Sequence, residues 1–245
     1  MSFWEGKKVL VTGAHGFVGK NLMSLLQTMQ QSVSFEILAP TRIEVDLTSE
    51  KQVAEYFWKH KPNIVLHLAG KVGGIGANKA KPADFFYQNI MMGTLVMHYA
   101  HINGAEKVVA LAAGCGYPKM LPVPYAEAKE RGDKEVVVWG TGVASREFLY
   151  SLDTAQAIID MTEKVNETGP FNLGTGVETT IKKLVETISE LTGFDGDIVW
   201  DTSKPDGQPR RFYDMRRFRE AVGYIPDTSL KDGLQQTIEW FKNEC

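Results

Sequence analysis

Three glycines near the start of the chain have the spacing of a phosphate-binding turn. Gly13, Gly16 and Gly19 follow the apolar run Val9 to Val11, and apolar residues recur at helical spacing after them, an order typical of strand, turn and helix. The first glycine permits a tight turn, the second lets the backbone approach a pyrophosphate, and the third lets the helix pack closely on the strand. The helix N-terminus then offers N–H groups to phosphates. The turn therefore predicts a dinucleotide site.

The residues that follow the second predicted strand bear on which dinucleotide binds. An acidic residue there would bind the ribose 2′-hydroxyl of NAD, whereas an arginine favours the 2′-phosphate of NADP. Arg42 is the cation at this place, and Asp46 and Leu47 come later, where they are better placed to approach the adenine. NADP is therefore preferred, and the alternative is that Arg42 is a solvated loop charge.

The elements that must position these residues alternate along the first half of the chain. Strands are predicted at residues 9–11, 35–38, 64–68 and 108–112, the last of them buried, and helices from residue 17 and at 49–60 and 82–103. Such alternation predicts an α/β fold, a Rossmann-type doubly wound parallel sheet with ligands at the carboxyl ends of its strands. The order weakens after residue 118, where a strand at 136–139 and helices at 179–191 and 235–242 indicate a smaller α+β substrate-binding part. We expect domains at 1–124 and 125–245.

Composition limits the partners of the protein. The 245 residues include 27 basic and 30 acidic side chains, which predicts no general nucleic-acid or membrane surface. One basic cluster is a solvated helix face or part of an anion site: Arg210, Arg211, Arg216, Arg217 and Arg219. Cys115 and Cys245 lie far apart in the sequence, which favours a reducing compartment, and no signal peptide or membrane-spanning run is found. A cytoplasmic location is expected, and no metal site is assigned.

Several further blocks carry specific motifs. They are HLAGKVGGIGANKAKPADFFYQN (67–89), GCGYPK (114–119), SREFLY (145–150), FNLGTGVETTI (171–181) and WDTSKPDGQPRR (200–211). Together with the G-x-x-G-x-x-G spacing of the first turn, these blocks resemble the GDP-L-fucose synthase family of extended short-chain dehydrogenases/reductases. The resemblance implies an NADPH-dependent oxidoreductase and isomerase that epimerises and reduces a GDP-linked 4-keto-6-deoxy sugar. Another nucleotide-sugar epimerase or dehydratase is the alternative enzyme.

The resemblance also implies binding residues. For the cofactor they are Gly13, Ala14, His15, Gly16, Phe17, Val18 and Gly19 at the pyrophosphate, Arg42, Asp46 and Leu47 at the adenosine, and Leu68, Ala69, Gly70 and Lys71 at its middle. For the GDP-sugar they are Trp139, Arg146 and Asp206, with Arg211 adding a second cation. An indole packs against a ring, and arginine pairs with a diphosphate through charge-assisted hydrogen bonds. The alternatives are core packing for Trp139 and a surface ion pair for Arg146.

The catalytic residues are where this chain departs from the family. The resemblance implies that Cys115 is an acid/base in epimerisation, and an inert buried thiol is the alternative. Tyr125 and Lys129 have the Tyr-x-x-x-Lys spacing, in which the tyrosine protonates the sugar C4 oxygen and the lysine lowers the tyrosine pKa. However, Ala113 and Gly114 stand where the family has serines, and the family places its tyrosine much farther along the chain.

The region after Pro124 resembles a part of the family that normally comes much later. The chain thus omits roughly seventy residues relative to an ordinary member, including part of a helix that usually builds a homodimer interface. Two hypotheses follow. Either Tyr125 and Lys129 are recruited across the shortened loop in a working enzyme, or their spacing is a coincidence in a cofactor-binding relative without turnover. A third reading is that the natural protein has a segment which this sequence lacks.

Overall fold

The chain divides into two compact units. The computed structural model describes residues 2–73, 77, 80–112, 134–204 and 206–244; for residue 244 it describes the backbone only. The first unit comprises Met1–Gly114 and Thr154–Asn166, and the second comprises Cys115–Asp153 and Glu167–Cys245. The predicted boundary between residues 124 and 125 lies outside the described residues and stays a prediction. Residues 154–166, which the prediction assigned to the second part, lie with the first unit.

The first unit contains the predicted parallel sheet. Its strands are β1 (Lys8–Thr12), β2 (Glu36–Leu38), β3 (Ile64–His67) and β4 (Lys107–Ala110), paired in the order β2-β1-β3-β4. The helices are α1 (Phe17–Met29), α2 (Glu50–His60), α3 (Pro82–Ile102) and α4 (Ser151–Lys164). The chain runs from β1 outwards to β2 and then back across to β3. The strand order therefore reverses between β1 and β3, and ligands bind at such a point beyond the carboxyl ends of the strands.

Both faces of this sheet are covered by helices. Val9 and Val11 of β1 pack in one apolar cluster with Leu22 of α1 and Ile158 of α4. Leu10, which points to the opposite face, packs in a second cluster with residues of α2 and α3. Because successive strand residues alternate between faces, a strand buried on both sides needs a continuous apolar run. The α/β fold class, which was predicted from the alternation of strands and helices, is confirmed.

Lys107 at the start of β4 explains how α4 is held in the first unit. Its ammonium group donates hydrogen bonds to the carbonyl oxygens of Thr162 and Val165, each at 2.7 Å, and to Oδ1 of Asn166 at 3.1 Å. The last carbonyl groups of a helix have no partner within it, and a lysine can satisfy them.

The second unit is a smaller α+β arrangement. Two parallel strands, β5 (Glu135–Trp139) and β8 (Asp197–Asp201), pair with each other, and β6 (Ser145–Glu147) pairs antiparallel with β7 (Glu178–Thr180). The helices are α5 (Ile181–Thr192), α6 (Arg216–Val222) and α7 (Leu230–Glu244). The inner face of the β5–β8 pair packs against α5, with Leu184, Val185 and Ile188 at the centre of the cluster.

Three predictions of local structure were wrong in detail. Residues 179 and 180, predicted as helix, end β7, and Thr180 caps α5 by accepting a hydrogen bond from the Lys183 N–H. The strand β4 was predicted to be buried, but its residues alternate between half-buried and exposed. The helix predicted at 235–242 spans Leu230–Glu244. In the described part of the chain, no helix is long and apolar enough to cross a membrane.

Candidate functional site

The glycine turn has the geometry that its spacing predicts. Gly13 has a φ of +75°, and a Cβ built there would lie 2.7 Å from the backbone nitrogen of Ala69. A Cβ on Gly19 would overlap the carbonyl oxygen of Gly13. Both positions therefore exclude a side chain, the first because of its left-handed backbone and the second because α1 lies so close to the turn.

Gly16 differs from these two glycines because it is exposed. Among the described residues beyond its chain neighbours, a Cβ at this position would come within 4 Å of the Gly13 carbonyl oxygen alone, at 3.3 Å. Gly16 is also the N-cap of α1, whose N-terminus has no side-chain cap and no acidic residue in its first turn. An exposed glycine before an uncapped helix N-terminus is what a pyrophosphate requires, so the residues present fit a dinucleotide.

A hydrogen-bonded pair joins the carboxyl ends of β1 and β3. The hydroxyl of Thr12 lies 2.6 Å from Nδ1 of His67, and the Ala69 N–H donates to the same hydroxyl at 3.3 Å. Burial lowers the pKa of His67 to about 4. When Nδ1 of the neutral ring carries no proton, it accepts a hydrogen bond from the Thr12 hydroxyl, whose oxygen accepts from the Ala69 N–H. Sequence analysis missed Thr12, and the pair fixes the loop that carries Leu68 and Ala69.

The loop after β2 contains the residues predicted to contact the adenosine. Glu44 accepts hydrogen bonds from the backbone N–H of Thr41 at 2.7 Å and from its hydroxyl at 2.8 Å. Asp46 accepts from the backbone N–H and the hydroxyl of Thr48, which lower its pKa. Both carboxylates thus shape the loop, which presents Arg42 with the almost fully exposed Ile43 beside it. The binding roles of Arg42, Asp46 and Leu47 stay predictions.

The loop after β3 is held by a side chain that sequence analysis did not single out. Oδ1 of Asn89 in α3 accepts a hydrogen bond from the Lys71 N–H at 2.7 Å, and Nδ2 of Asn89 donates to the Lys71 carbonyl oxygen at 2.9 Å. The ammonium group of Lys71 pairs with Asp84 and lies over the ring of Phe85. The structure thus brings Gly70 and Lys71 to the same end of the sheet as the glycine turn, and the double amide bond could not be read from sequence spacing.

In the second unit, Trp139 and Asp206 flank the end of β5. Trp139 is 59% exposed, so core packing does not explain it, and the Lys204 ammonium lies 5.5 Å from the centre of its ring. Asp206 accepts hydrogen bonds from the backbone N–H of Thr141 at 2.5 Å and from its hydroxyl at 2.8 Å, which lower the pKa of the carboxyl. A Cβ on Gly140 would overlap this carboxylate. Asp206 therefore anchors the loop that follows Trp139.

Arg146 and Arg211 share one backbone oxygen. The carbonyl oxygen of Ser145 accepts a hydrogen bond from the Arg146 guanidinium at 2.6 Å and another from the backbone N–H of Arg211 at 3.2 Å. Arg146 makes no ion pair within the described residues, so the alternative of a surface ion pair is not seen. One nitrogen of the Arg211 guanidinium donates a hydrogen bond to Oε1 of Gln208 at 2.6 Å.

The other arginines of the basic cluster are occupied differently. Arg210 pairs with Glu178, Arg216 with Asp214, and Arg217 with Glu167. Three cations of the cluster are thus neutralised by carboxylates. Arg146 and Arg211 are the arginines of this region that the resemblance assigned to the nucleotide diphosphate.

The three predicted catalytic residues, Cys115, Tyr125 and Lys129, lie outside the described residues, as do Ala113 and Gly114. Their roles stay predictions.

Known proteins are similar to this chain over nearly its whole length. The sequence pattern of the NAD dependent epimerase/dehydratase family matches residues 9–133 and 125–174. The chain belongs to this family. It is 31% identical to GDP-L-fucose synthase 1 of Arabidopsis thaliana, with 98% of this chain and 95% of that protein covered, and 31% identical to the GDP-L-fucose synthase of Escherichia coli, with 96% of each covered. These relatives confirm the resemblance to the GDP-L-fucose synthase family.

The epimerase/dehydratase fold is confirmed by solved structures as well. A GDP-L-fucose synthetase from Naegleria fowleri, crystallised with NADP, superposes with a TM-score of 0.84 at 19% identity, over 99% of this chain and 95% of that one. At this identity the likeness speaks for the fold alone.

The alignments also bear on the predicted omission. The alignment with the Arabidopsis protein is 311 residues long, whereas this chain has 245, so at least 66 of its positions hold no residue of this chain. The family pattern matches in two segments that overlap at residues 125–133. Both findings agree with an omission of roughly seventy residues near Tyr125.

Proposed function

We propose that this protein is an NADPH-dependent epimerase/reductase of a GDP-linked 4-keto-6-deoxy sugar. The observation that carries the proposal is the contrast among the three glycines: Gly13 and Gly19 have no room for a side chain, whereas Gly16 is exposed at an uncapped helix N-terminus. That contrast fits a bound pyrophosphate rather than a turn required only for folding. The relatives at 31% identity support the choice of a GDP-sugar.

The chain's own residues would divide the binding work between the two units. In the first unit, backbone N–H groups at the start of α1 bind the pyrophosphate, and Arg42 binds the adenosine 2′-phosphate. In the second unit, the exposed ring of Trp139 packs against a ring of the nucleotide sugar. Arg146 and Arg211 neutralise the diphosphate, because a guanidinium matches phosphate geometry and the two residues meet at one point, the Ser145 carbonyl oxygen, which accepts from the Arg146 guanidinium and from the Arg211 backbone N–H.

The proton transfers are assigned to Cys115, Tyr125 and Lys129. NADPH, when bound, supplies the hydride that reduces the C4 carbonyl. Cys115 would move protons at C3 and C5, which are acidic because both carbons adjoin the C4 carbonyl. Tyr125 would donate a proton to the C4 oxygen, with Lys129 lowering the pKa of the phenol. We keep a homodimer and a cytoplasmic location as predictions.

The missing alignment positions favour one second candidate. A chain that lacks at least 66 positions of its relatives could bind NADPH and the GDP-sugar without turning them over. Such a protein would be a binding or scaffold protein with the fold of an enzyme.

Hydrogen exchange separates these candidates before any hydride is transferred. The protein is incubated with GDP-4-keto-6-deoxymannose in D2O, and the sugar is analysed by mass spectrometry. The proposed function predicts uptake of deuterium at C3 and C5, above the level of a heat-denatured control. Sugar that binds but exchanges no faster than in that control would contradict the epimerase half of the proposal.

A further inference from the structure

One carboxyl group of the second unit is buried with neither oxygen in a hydrogen bond of good geometry to the described part of the chain. Glu147, the last residue of β6, is 5% exposed. Among the described residues, neither of its side-chain oxygens has a hydrogen-bond partner of good geometry. The backbone N–H groups of Tyr213 and Gly176 approach closely enough to favour its ionised form, but burial outweighs them and raises the pKa of the carboxyl.

Stability does not explain why a glutamate occupies this position. Burying a carboxyl that lacks full hydrogen bonding costs free energy, and an apolar side chain of similar size avoids that cost. The site is also tightly fitted, since a Cβ on Gly174 would overlap Oε2 of Glu147 and would lie 3.4 Å from Cδ2 of Tyr213. The glutamate therefore has a role that an apolar residue cannot supply.

Two ladders of backbone hydrogen bonds, one on each side of β6, end beside this carboxyl. On one side β6 pairs with β7, and the last pair is Glu147 with Glu178. On the other side Ser145 bridges Arg210, where the Ser145 N–H donates to Pro209 and the Arg211 N–H donates to Ser145. Beyond these last pairs, the next donors are the N–H groups of Gly176 and Tyr213, and both face the Glu147 side chain. The carboxyl thus lies beside the next donor of each ladder, at the point where backbone pairing stops.

The segments that end there carry the arginines proposed for the diphosphate. Arg146 precedes Glu147 on β6 and points to the opposite face of the strand, because successive side chains alternate. Arg211 lies two residues before Tyr213, and its backbone N–H shares the Ser145 carbonyl oxygen with the Arg146 guanidinium. A shift of the 211–213 segment away from β6 would therefore change the separation of the two guanidinium groups.

We propose that Glu147 is a positioning residue, which holds the segments at 174–176 and 211–213 against β6 and so sets Arg146 and Arg211 at the spacing of a nucleoside diphosphate. This inference rests on the proposed function, because GDP is the ligand whose binding reports on it. Glu147 itself touches no substrate in this account.

Affinity for GDP, measured by calorimetry on the full chain, tests this role in two variants. Glu147→Gln keeps an oxygen that can accept from both N–H groups, and its affinity is expected within about threefold of the wild type. Glu147→Leu fills the site without an acceptor and is expected to fold with an equal or higher melting temperature. It is expected to bind GDP about tenfold more weakly, a change in affinity that corresponds to about one hydrogen bond. Affinity for NADP should not change in either variant.

The matched control is Glu186→Leu, since Glu186 is exposed on α5. GDP affinity that the Glu147→Leu variant keeps would overturn the positioning role. If that variant fails to fold, Glu147→Asp decides, because its carboxylate is too short to reach the two N–H groups: weakened GDP binding supports the role and wild-type binding overturns it. Wild-type protein that binds no GDP would instead contradict the proposed function itself.

Discussion

The Thr12 hydroxyl and Nδ1 of His67 lie 2.6 Å apart where β1 and β3 end. This contact crosses the point at which the strand order reverses, and the same hydroxyl accepts a hydrogen bond from the Ala69 N–H. A single threonine therefore connects the strand before the glycine turn to the loop predicted to contact the middle of the cofactor.

Burial of His67 predicts how stability depends on pH. The imidazole has a pKa of about 4 in the folded protein against 6.5 ordinarily. The unfolded chain therefore takes up a proton near pH 6.5 that the folded chain refuses until about pH 4, so the free energy of unfolding falls as pH is lowered through this window, by about 3 kcal/mol in full.

Urea unfolding at several pH values between 7 and 4 tests this expectation. His67→Asn, which keeps a polar group facing Thr12 but does not titrate, should flatten the pH dependence. The control is His101→Asn on the exposed end of α3. An unchanged pH dependence in the His67 variant would show that other groups cause it.

Alanine substitutions distinguish the three kinds of glycine. Gly16→Ala should fold with a stability within about 1 kcal/mol of the wild type, because its new methyl group meets only one oxygen at 3.3 Å. It should bind NADPH at least about tenfold more weakly, because the methyl group enters the space of the pyrophosphate. Fluorescence titration with NADPH measures the affinity.

Two further glycines serve as references for that titration. Gly19→Ala should lose stability and cofactor binding together, because its Cβ would overlap the Gly13 carbonyl oxygen. Gly93 lies in α3, where no other part of the described chain comes within 4 Å of an added Cβ, so Gly93→Ala should stabilise the helix by about 0.5–1 kcal/mol. Equal NADPH affinity in the Gly16 and Gly93 variants would argue against a pyrophosphate beside Gly16.

Arg42 is expected to select the phosphorylated cofactor. Arg42→Ala should weaken NADPH binding by about 10- to 100-fold, the range for losing charge-assisted hydrogen bonds, and should change NADH binding little. Lys51→Ala is the control, because Lys51 is exposed on α2 and its nearest carboxylate partner is 3.9 Å away. Equal losses for the two cofactors would refute the selection of NADP by Arg42.

Tyr125 is expected to be the proton donor in reduction. Tyr125→Phe removes the hydroxyl alone and should abolish NADPH oxidation in the presence of the keto sugar while the affinity for NADPH is kept. Tyr87→Phe, on the exposed side of α3, is the matched control. Turnover that survives in the Tyr125 variant would mean that the Tyr-x-x-x-Lys spacing here is a coincidence.

The parts of this protein that sequence analysis predicted well are those determined locally. The glycine turn was predictable because strand, turn and helix lie within one short stretch, and each glycine has its own steric reason. The Ser145–Arg210 bridge and the Asn89–Lys71 bonds join residues that are distant in the sequence, and their pairing depends on tertiary packing that no local pattern encodes. The helix α4 was missed because its buried positions include small alanines, such as Ala155 and Ala157, which give only a weak apolar stripe.

The oxidation of NADPH by GDP-4-keto-6-deoxymannose tests the central claim most directly. The decrease in absorbance at the wavelength of the reduced nicotinamide is followed with protein whose intact mass matches the 245-residue sequence. The account predicts consumption of NADPH that depends on both the protein and the keto sugar. Protein that binds NADPH and GDP but consumes no NADPH would contradict the proposed enzyme and leave a binding protein of the same fold.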